Sequence, residues 1–431
     1  MLYHIYELQH ATINPLRAAV DVSKKWLRNP ANPWSYTQPG RSAAAAFDVF
    51  THITHRYGKP EFDLPTTTIG GETVPVIEEF VHREPFCNLL HFKRDTSHLK
   101  QQPDDPRILI VAPLSGHFST LLRGTVETLL PDHDVYITDW VDAREVPVHM
   151  GHFDLDSYVD YLMRFLRVLG PNTHMMAVCQ PSVPVMAAVS LMAAGNEPCQ
   201  PASMTLMGGP VDTRENPTEV NKFAEQHPLD WFERHVISHV PLPHTGVMRR
   251  VYPGFMQLAG FMSMNWDRHM EAHNEMFMHL AEGDGESAEA KRMFYQEYLA
   301  VMDMTAEFYL QTLKVVFHEH QLPEGKMRWQ GIAVEPSAIT KTALMTVEGE
   351  RDDITGIGQT RAAHKLCSNL PENMRCHYMQ TGVGHYGVFN GRRWREQISP
   401  RIKDFIRRHD HEGKGANSAP PTPAKQIDAA E

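Results

Sequence analysis

One cysteine, a pair of adjacent aspartates and a glycine-flanked histidine stand in an order that suits acyl transfer. The cysteine is Cys179, in "MMAVCQPSVP" at residues 175–184, where an apolar run stops and a proline follows two places on. A thiolate attacks carbonyl carbon well once a neighbouring imidazole takes its proton or holds it as an ion pair. Asp352 and Asp353 lie in "EGERDDI", and His385 lies in "TGVGHYGVFNG". Taken singly, each has a plainer reading. A free cysteine beside an apolar strand is usually a small buried hydrophobe, and paired aspartates often only solvate a loop.

The elements around these residues favour the chemical reading. "NTHMMAV" predicts a strand and "PSVPVMAAVSLMAAG" a helix, so Cys179 falls on the turn between them. A nucleophile elbow occupies such a turn, with small flanking residues because the backbone folds back sharply. Ala177 is small, and Pro181 sits in the first helical turn, where a missing N–H costs little. Neither flank is glycine, however, and Pro181 restricts Gln180, whose N–H must face an oxyanion. A second oxyanion donor is expected from the loop "PLSGHFS" after the strand "RILIVA", at Ser115 and Gly116. A plain tight turn would also account for that loop. The acidic pair follows the strand "TALMTV", and both aspartates qualify; His385 follows the strand "RCHYMQ". Nucleophile, acid and histidine thus follow three strands in the order used by α/β-hydrolase triads.

Strand and helix alternate with short connections from residue 107 to about 211 and again from about 341. That rhythm predicts a mostly parallel, doubly wound α/β sheet. Five segments follow: an N-terminal extension of mixed helix and strand (1–100), the first part of the core (101–211), a Met- and aromatic-rich helical cap insert (212–330), the second part of the core (331–410) and a polar tail (411–431) expected to be disordered. Asn14–Pro15 reads as a helix start running towards Leu27, and residues 42–57 as a second helix. "MFYQEYLAVMDMTAEFYLQTL" reads as helical within the insert.

Composition narrows the partners. The net charge of −11 opposes a nucleic-acid ligand. The five cysteines are odd in number and widely spaced, with no CxxC, so neither a disulfide framework nor zinc is expected. "HMEAH" (His269, His273) lacks the glutamate that a zinc protease needs after its first histidine, and "HEH" at 318–320 does not read as a metal site either. No metal or other cofactor is expected. There is no run of 18 apolar residues and no basic-then-apolar leader, which predicts a cytoplasmic chain without a membrane span.

The layout resembles the polyhydroxyalkanoate branch of the α/β hydrolases, above all the intracellular poly(3-hydroxybutyrate) depolymerases. The residues that carry the likeness are "AVCQPSVP", "GERDDI", "GVGHYGVFNGRRWR", "APLSGHFSTLLRGTVETLLPDHDVYITDW" and the initial "MLYHIYEL". The resemblance implies an α/β-hydrolase fold, hydrolysis of short-chain polyester at a granule surface and an acyl-thioester intermediate. It implies Cys179 as nucleophile, His385 as base and Asp352 as its partner, with Asp353 adjacent. Polyhydroxyalkanoate synthases share the Cys–His–Asp set, but their elbow resembles G-x-C-x-G followed by a further glycine. Ala177, Pro181 and Ser182 stand at those places here. Polymer synthesis from hydroxyacyl-CoA and a non-catalytic granule protein are the alternatives. Whether water or a thiol takes the acyl group, and the oligomeric state, stay open.

Overall fold

A computed structural model describes residues 2–101, 103–264 and 296–410. Its centre is a nine-stranded sheet. The chain enters through a helical hairpin, α1 (Leu2–Leu27) and α2 (Gln38–Thr54), then runs through β1 (Thr66–Ile69), β2 (Glu72–Arg83), β3 (Cys87–Arg94), β4 (Arg107–Val111), β5 (Asp134–Trp140), β6 (His174–Val178) and β7 (Ser203–Met207). Short strands β8 (Ser238–His239), β9 (Arg250–Tyr252), β10 (Met304–Thr305), β11 (Arg328–Trp329) and β12 (Ile332–Ala333) lie outside it, and β13 (Ala343–Gly349) and β14 (Arg375–Gln380) complete it.

The sheet order is β1-β2-β3-β5-β4-β6-β7-β13-β14. β3 runs antiparallel to both β2 and β5, while β5, β4, β6, β7, β13 and β14 pair in parallel. Parallel strands covered on both faces must be apolar throughout. Ile108–Val111, His174–Val178 and Ser203–Met207 are accordingly buried at every position. Helices α3 (Arg123–Leu129), α4 (Leu155–Leu169) and α5 (Ser182–Ala194) follow β4, β5 and β6. Asp154 caps α4 by accepting the Ser157 N–H at 2.8 Å. α5 is apolar around its circumference and buried along nearly all its length, as a helix behind a central strand must be.

The chain passes from β4 outwards to β5, then crosses back to β6 on the other side of β4. The carboxyl ends of β4 and β6 therefore border a crevice at the point where the strand order reverses, where open α/β sheets place their ligands.

Two local expectations fail for physical reasons. Asn14–Pro15 does not begin a helix, because α1 runs unbroken from Leu2 with Pro15 inside it. The proline removes the donor that would bond the Ala11 carbonyl, and Ala11 is exposed, so that carbonyl need not be buried unbonded. The expected helix at 293–313 is not continuous either over its described residues, from Gln296 on. It breaks at residues 300–305, where Met304 and Thr305 pair with β9, before the helix Ala306–Thr312. Asp303 explains the break, since its buried carboxylate accepts the Gly254 N–H (2.9 Å) and the Tyr3 hydroxyl (2.7 Å).

Candidate active site

β6 ends at Val178, and Cys179 turns the chain with φ +69° before Pro181 caps α5. A side chain in the left-handed region costs about 1 kcal/mol and persists only where its surroundings enforce it. Here the Cys179 N–H donates to the Met207 carbonyl at 2.7 Å, and the Cys179 carbonyl accepts the Ser182 N–H (3.1 Å) and hydroxyl (3.0 Å). Pro181 takes φ −64° and ψ −7°, angles that lead directly into the helix. Among the described residues the Gln180 N–H has no acceptor, and the Gln180 amide oxygen accepts the Leu114 N–H at 3.3 Å. Gln180 thereby ties the elbow to the loop after β4.

The room for this turn comes from the neighbouring strand end. A Cβ on Gly209 would fall inside the Ser182 side chain and 3.0 Å from the Cys179 carbonyl oxygen. The close approach that flanking glycines allow in other elbows is supplied here from across the sheet. Gly209→Ala is expected to lower stability by about 1–3 kcal/mol, the cost of overpacking a filled site, measured by urea unfolding. Gly208, at φ +54°, packs against both Asp352 and His385.

His385 opens a 3₁₀ turn after β14, and its Nδ1 lies 2.8 Å from Asp352 Oδ2, with both side chains almost fully buried. The other Asp352 oxygen accepts the N–H groups of Ile354 (2.9 Å) and Thr355 (2.8 Å). His385 also hydrogen-bonds Cys179, leaving its Nε2 edge for the sulfur. Burial alone would pull the imidazole pKa down. The charges of Asp352 and Cys179 outweigh it and hold the group well above its ordinary value. An imidazole so placed, between a carboxylate and a sulfur, favours its protonated form.

The structure thus brings Cys179, His385 and Asp352 into one connected set, and Asp352, not Asp353, bonds the imidazole. Ser115 and Gln180 line the cavity above Cys179. Gly116 adopts φ +102°, and its carbonyl accepts the Met302 N–H at 2.8 Å, but it stands behind the lining, and a Cβ there would meet Gln257 Oε1 at 2.5 Å. His117 is buried and bonded to the Tyr298 carbonyl at 3.1 Å, and burial pulls its pKa down to about 4, so it is neutral at pH 7.

The cavity measures about 550 Å³ and carries a mostly apolar wall that includes Leu121, Phe232, Phe308, Tyr309, Tyr386 and Phe389. Sequence reasoning missed the supports beneath it. Thr355 donates its hydroxyl to the Gly208 carbonyl (2.8 Å), and Thr360 bonds both the N–H (2.8 Å) and the carbonyl (3.0 Å) of Gly209. The pair "GG" at the end of "PASMTLMGG" was the only signal for them. His318 and His320 bond the Ala224 carbonyl (2.7 Å) and the Thr213 hydroxyl (3.0 Å), while His269 and His273 lie outside the described residues.

A sheet of six parallel strands extended by an antiparallel edge, with a cysteine on a strand–turn–helix and a downstream Asp–His pair, has the layout of the α/β-hydrolase fold. Residues 208–410 match the family described as PHB de-polymerase C-terminus. The matched segment contains Asp352 and His385. No curated protein matches the chain in sequence. Among solved structures it is similar to a thermophilic esterase from Thermogutta terrifontis (12% identity over 80% of this chain and 98% of that one, TM-score 0.39). It is also similar to a monoacylglycerol lipase from Paleococcus ferrophilus (11%, 71% and 97%, 0.41) and to 2-hydroxy-6-oxo-6-phenylhexa-2,4-dienoate hydrolase from Rhodococcus sp. strain RHA1 (10%, 78% and 99%, 0.40).

Proposed function

We propose that this α/β hydrolase is an intracellular depolymerase that cleaves the ester bonds of short-chain polyhydroxyalkanoate, with Cys179 as nucleophile, His385 as acid–base and Asp352 as its partner. The observation that carries the reading is the connected Cys179–His385–Asp352 set, whose cysteine and histidine line a mostly apolar cavity of about 550 Å³. The Cys179 sulfur attacks an ester carbonyl carbon, and the electron pair moves to the carbonyl oxygen, which the Gln180 N–H and a donor at Ser115 receive. When that intermediate collapses the C–O bond breaks, and His385 passes its proton to the leaving alkoxide, freeing a hydroxyl chain end. Water then gives a proton to His385 and attacks the thioester; a carboxylic acid leaves and the thiolate is restored.

Residues 212–330 act in this reading as a cap, their aromatic and Met side chains accepting an apolar chain. Granule contact is assigned to α1. Ile5, Leu8, Leu16, Val22 and Trp26 are all exposed, and at 100° per residue they fall within an arc of about 120°. No helix among the described residues is long and apolar enough to cross a membrane, so surface attachment by such a stripe suits an insoluble substrate.

The test is incubation with amorphous poly(3-hydroxybutyrate) granules. Soluble 3-hydroxybutyrate or its oligomers should appear. Polymer growth with release of CoA from hydroxyacyl-CoA would instead establish a synthase, and tight granule binding without either product a coat protein.

A further inference from the structure

In the proposed cleavage the leaving oxygen meets one protein group, the imidazole of His385. The next residue, Tyr386, also lines the Cys179 cavity. Both belong to the 3₁₀ turn His385–Val388 after β14. Rings on three sides hold the Tyr386 ring in place: His385 with centroids 6.0 Å apart, Phe389 at 5.7 Å and Tyr298 at 6.1 Å. Their planes cross at 89°, 56° and 58°, the edge-on and tilted contacts that aromatic rings favour.

That packing does not need the hydroxyl. Phenylalanine would make the same ring contacts, and a hydroxyl taken out of water costs free energy unless something bonds it. Tyrosine hydroxyls in such places therefore nearly always have a partner. Among the described residues the hydrogen bonds of Tyr386 are made by its backbone carbonyl, which accepts the N–H groups of Phe389 (3.4 Å) and Asn390 (3.0 Å), and none is made by its hydroxyl. A donor bonded to nothing in the protein, in the wall of a mostly apolar cavity, is left for what enters that cavity. Burial, with Tyr298 and Cys179 adding to it, holds the Tyr386 pKa well above its ordinary value, so the hydroxyl keeps its proton at neutral pH.

An attacked ester carbon carries two oxygens. The carbonyl oxygen turns towards the Gln180 N–H and the donor at Ser115, on the elbow and on the loop after β4. The bridging oxygen has to face His385, which protonates it, and Tyr386 adjoins His385. We propose that Tyr386 is a further catalytic residue, its hydroxyl donating a hydrogen bond to the bridging ester oxygen as the C–O bond breaks. The electron pair of that bond passes to the oxygen, and His385 delivers the proton. Tyr386 keeps its own proton and shares the charge until the transfer is complete. This role rests on the proposed ester cleavage at Cys179, though not on the ester being a polymer.

The test compares two soluble esters of one acid, ethyl butyrate and p-nitrophenyl butyrate, on the parent chain and on Tyr386→Phe. Ethoxide is a poor leaving group that needs help, whereas p-nitrophenoxide leaves with little. For ethyl butyrate kcat/KM should fall about 10- to 100-fold, the worth of a hydrogen bond to a charged group. For p-nitrophenyl butyrate it should stay within about threefold, because little charge on its leaving oxygen awaits a donor. Equal losses on the two esters would reduce Tyr386 to a wall residue, and an unchanged rate on ethyl butyrate would remove its hydroxyl from the reaction; either overturns the proposal, as would a parent inert on both esters. A parent that cleaves both esters but leaves granules intact fails the depolymerase reading alone, and the comparison of the two esters still decides the role of Tyr386.

Discussion

Cys179→Ala is expected to abolish release of soluble product from polyester granules, by about 10⁴-fold or more, while the protein stays folded. Removing one member of a nucleophile–base–acid unit costs nearly as much as removing all of it, because the members act together. The substitution deletes only a sulfur at a half-buried position, and alanine tolerates the φ of +69° no worse than cysteine does. Thermal unfolding should therefore move little. Cys199→Ala is the control, since Cys199 is also partly exposed but stands outside the cavity; it should keep full activity. Alkylation should discriminate as well. Burial holds the Cys87 thiol well above its ordinary pKa and pushes Cys367 up to about 12, so neither is thiolate near neutral pH. Activity of Cys179→Ala near the parent level would end the assignment.

Asp352→Asn is expected to cost about 10³–10⁴-fold in kcat, as it does where an aspartate fixes the tautomer of a triad histidine. The loop should survive, because an amide oxygen can still accept the Ile354 and Thr355 N–H groups. What changes is the atom facing His385 Nδ1, from an acceptor to a donor. The sign of the pH effect follows from the forces on the imidazole. Burial lowers its pKa, and Asp352 and Cys179 together raise it. With the carboxylate gone, burial carries more weight and the pKa falls. Fewer imidazoliums then stand beside the Cys179 sulfur at pH 7, and iodoacetamide should label Cys179 more slowly there. Asp353→Asn should leave both activity and labelling within a few-fold of the parent. A reversed ranking of the two asparagine variants would move the acid role to Asp353.

The positions of these residues in the fold were legible. Cys179 and the acidic pair follow the buried strands β6 and β13 and His385 follows the half-buried edge strand β14, and apolar strands bounded by turn residues are the clearest signal a parallel sheet sends. The choice between Asp352 and Asp353 was not legible, because adjacent residues share a spacing and differ only in the direction their side chains take. Nor did any local pattern foretell the contacts around Gly116, whose carbonyl accepts the Met302 N–H and whose open side faces Gln257. Thr355 and Thr360 escaped notice for another reason. They act on Gly208 and Gly209, about 150 residues upstream, and no local pattern records a bond of that span. The break at residues 300–305 belongs to the same class. Its local pattern is helical, and Asp303 overrides it only through partners at Tyr3 and Gly254.

The threonine clasps on Gly208 and Gly209 bear on when, during synthesis, the nucleophile becomes competent. The segment carrying Cys179 emerges from the ribosome long before residue 360, yet the glycine seat beneath its turn is pinned only once Thr355 and Thr360 have docked. Contacts so distant along the chain close late. Until then the cysteine has neither its seat nor its imidazole neighbour. Asp352, Thr355, Thr360 and His385 all lie within one stretch of the C-terminal segment, so under the proposed function the site depends on that stretch docking as a unit.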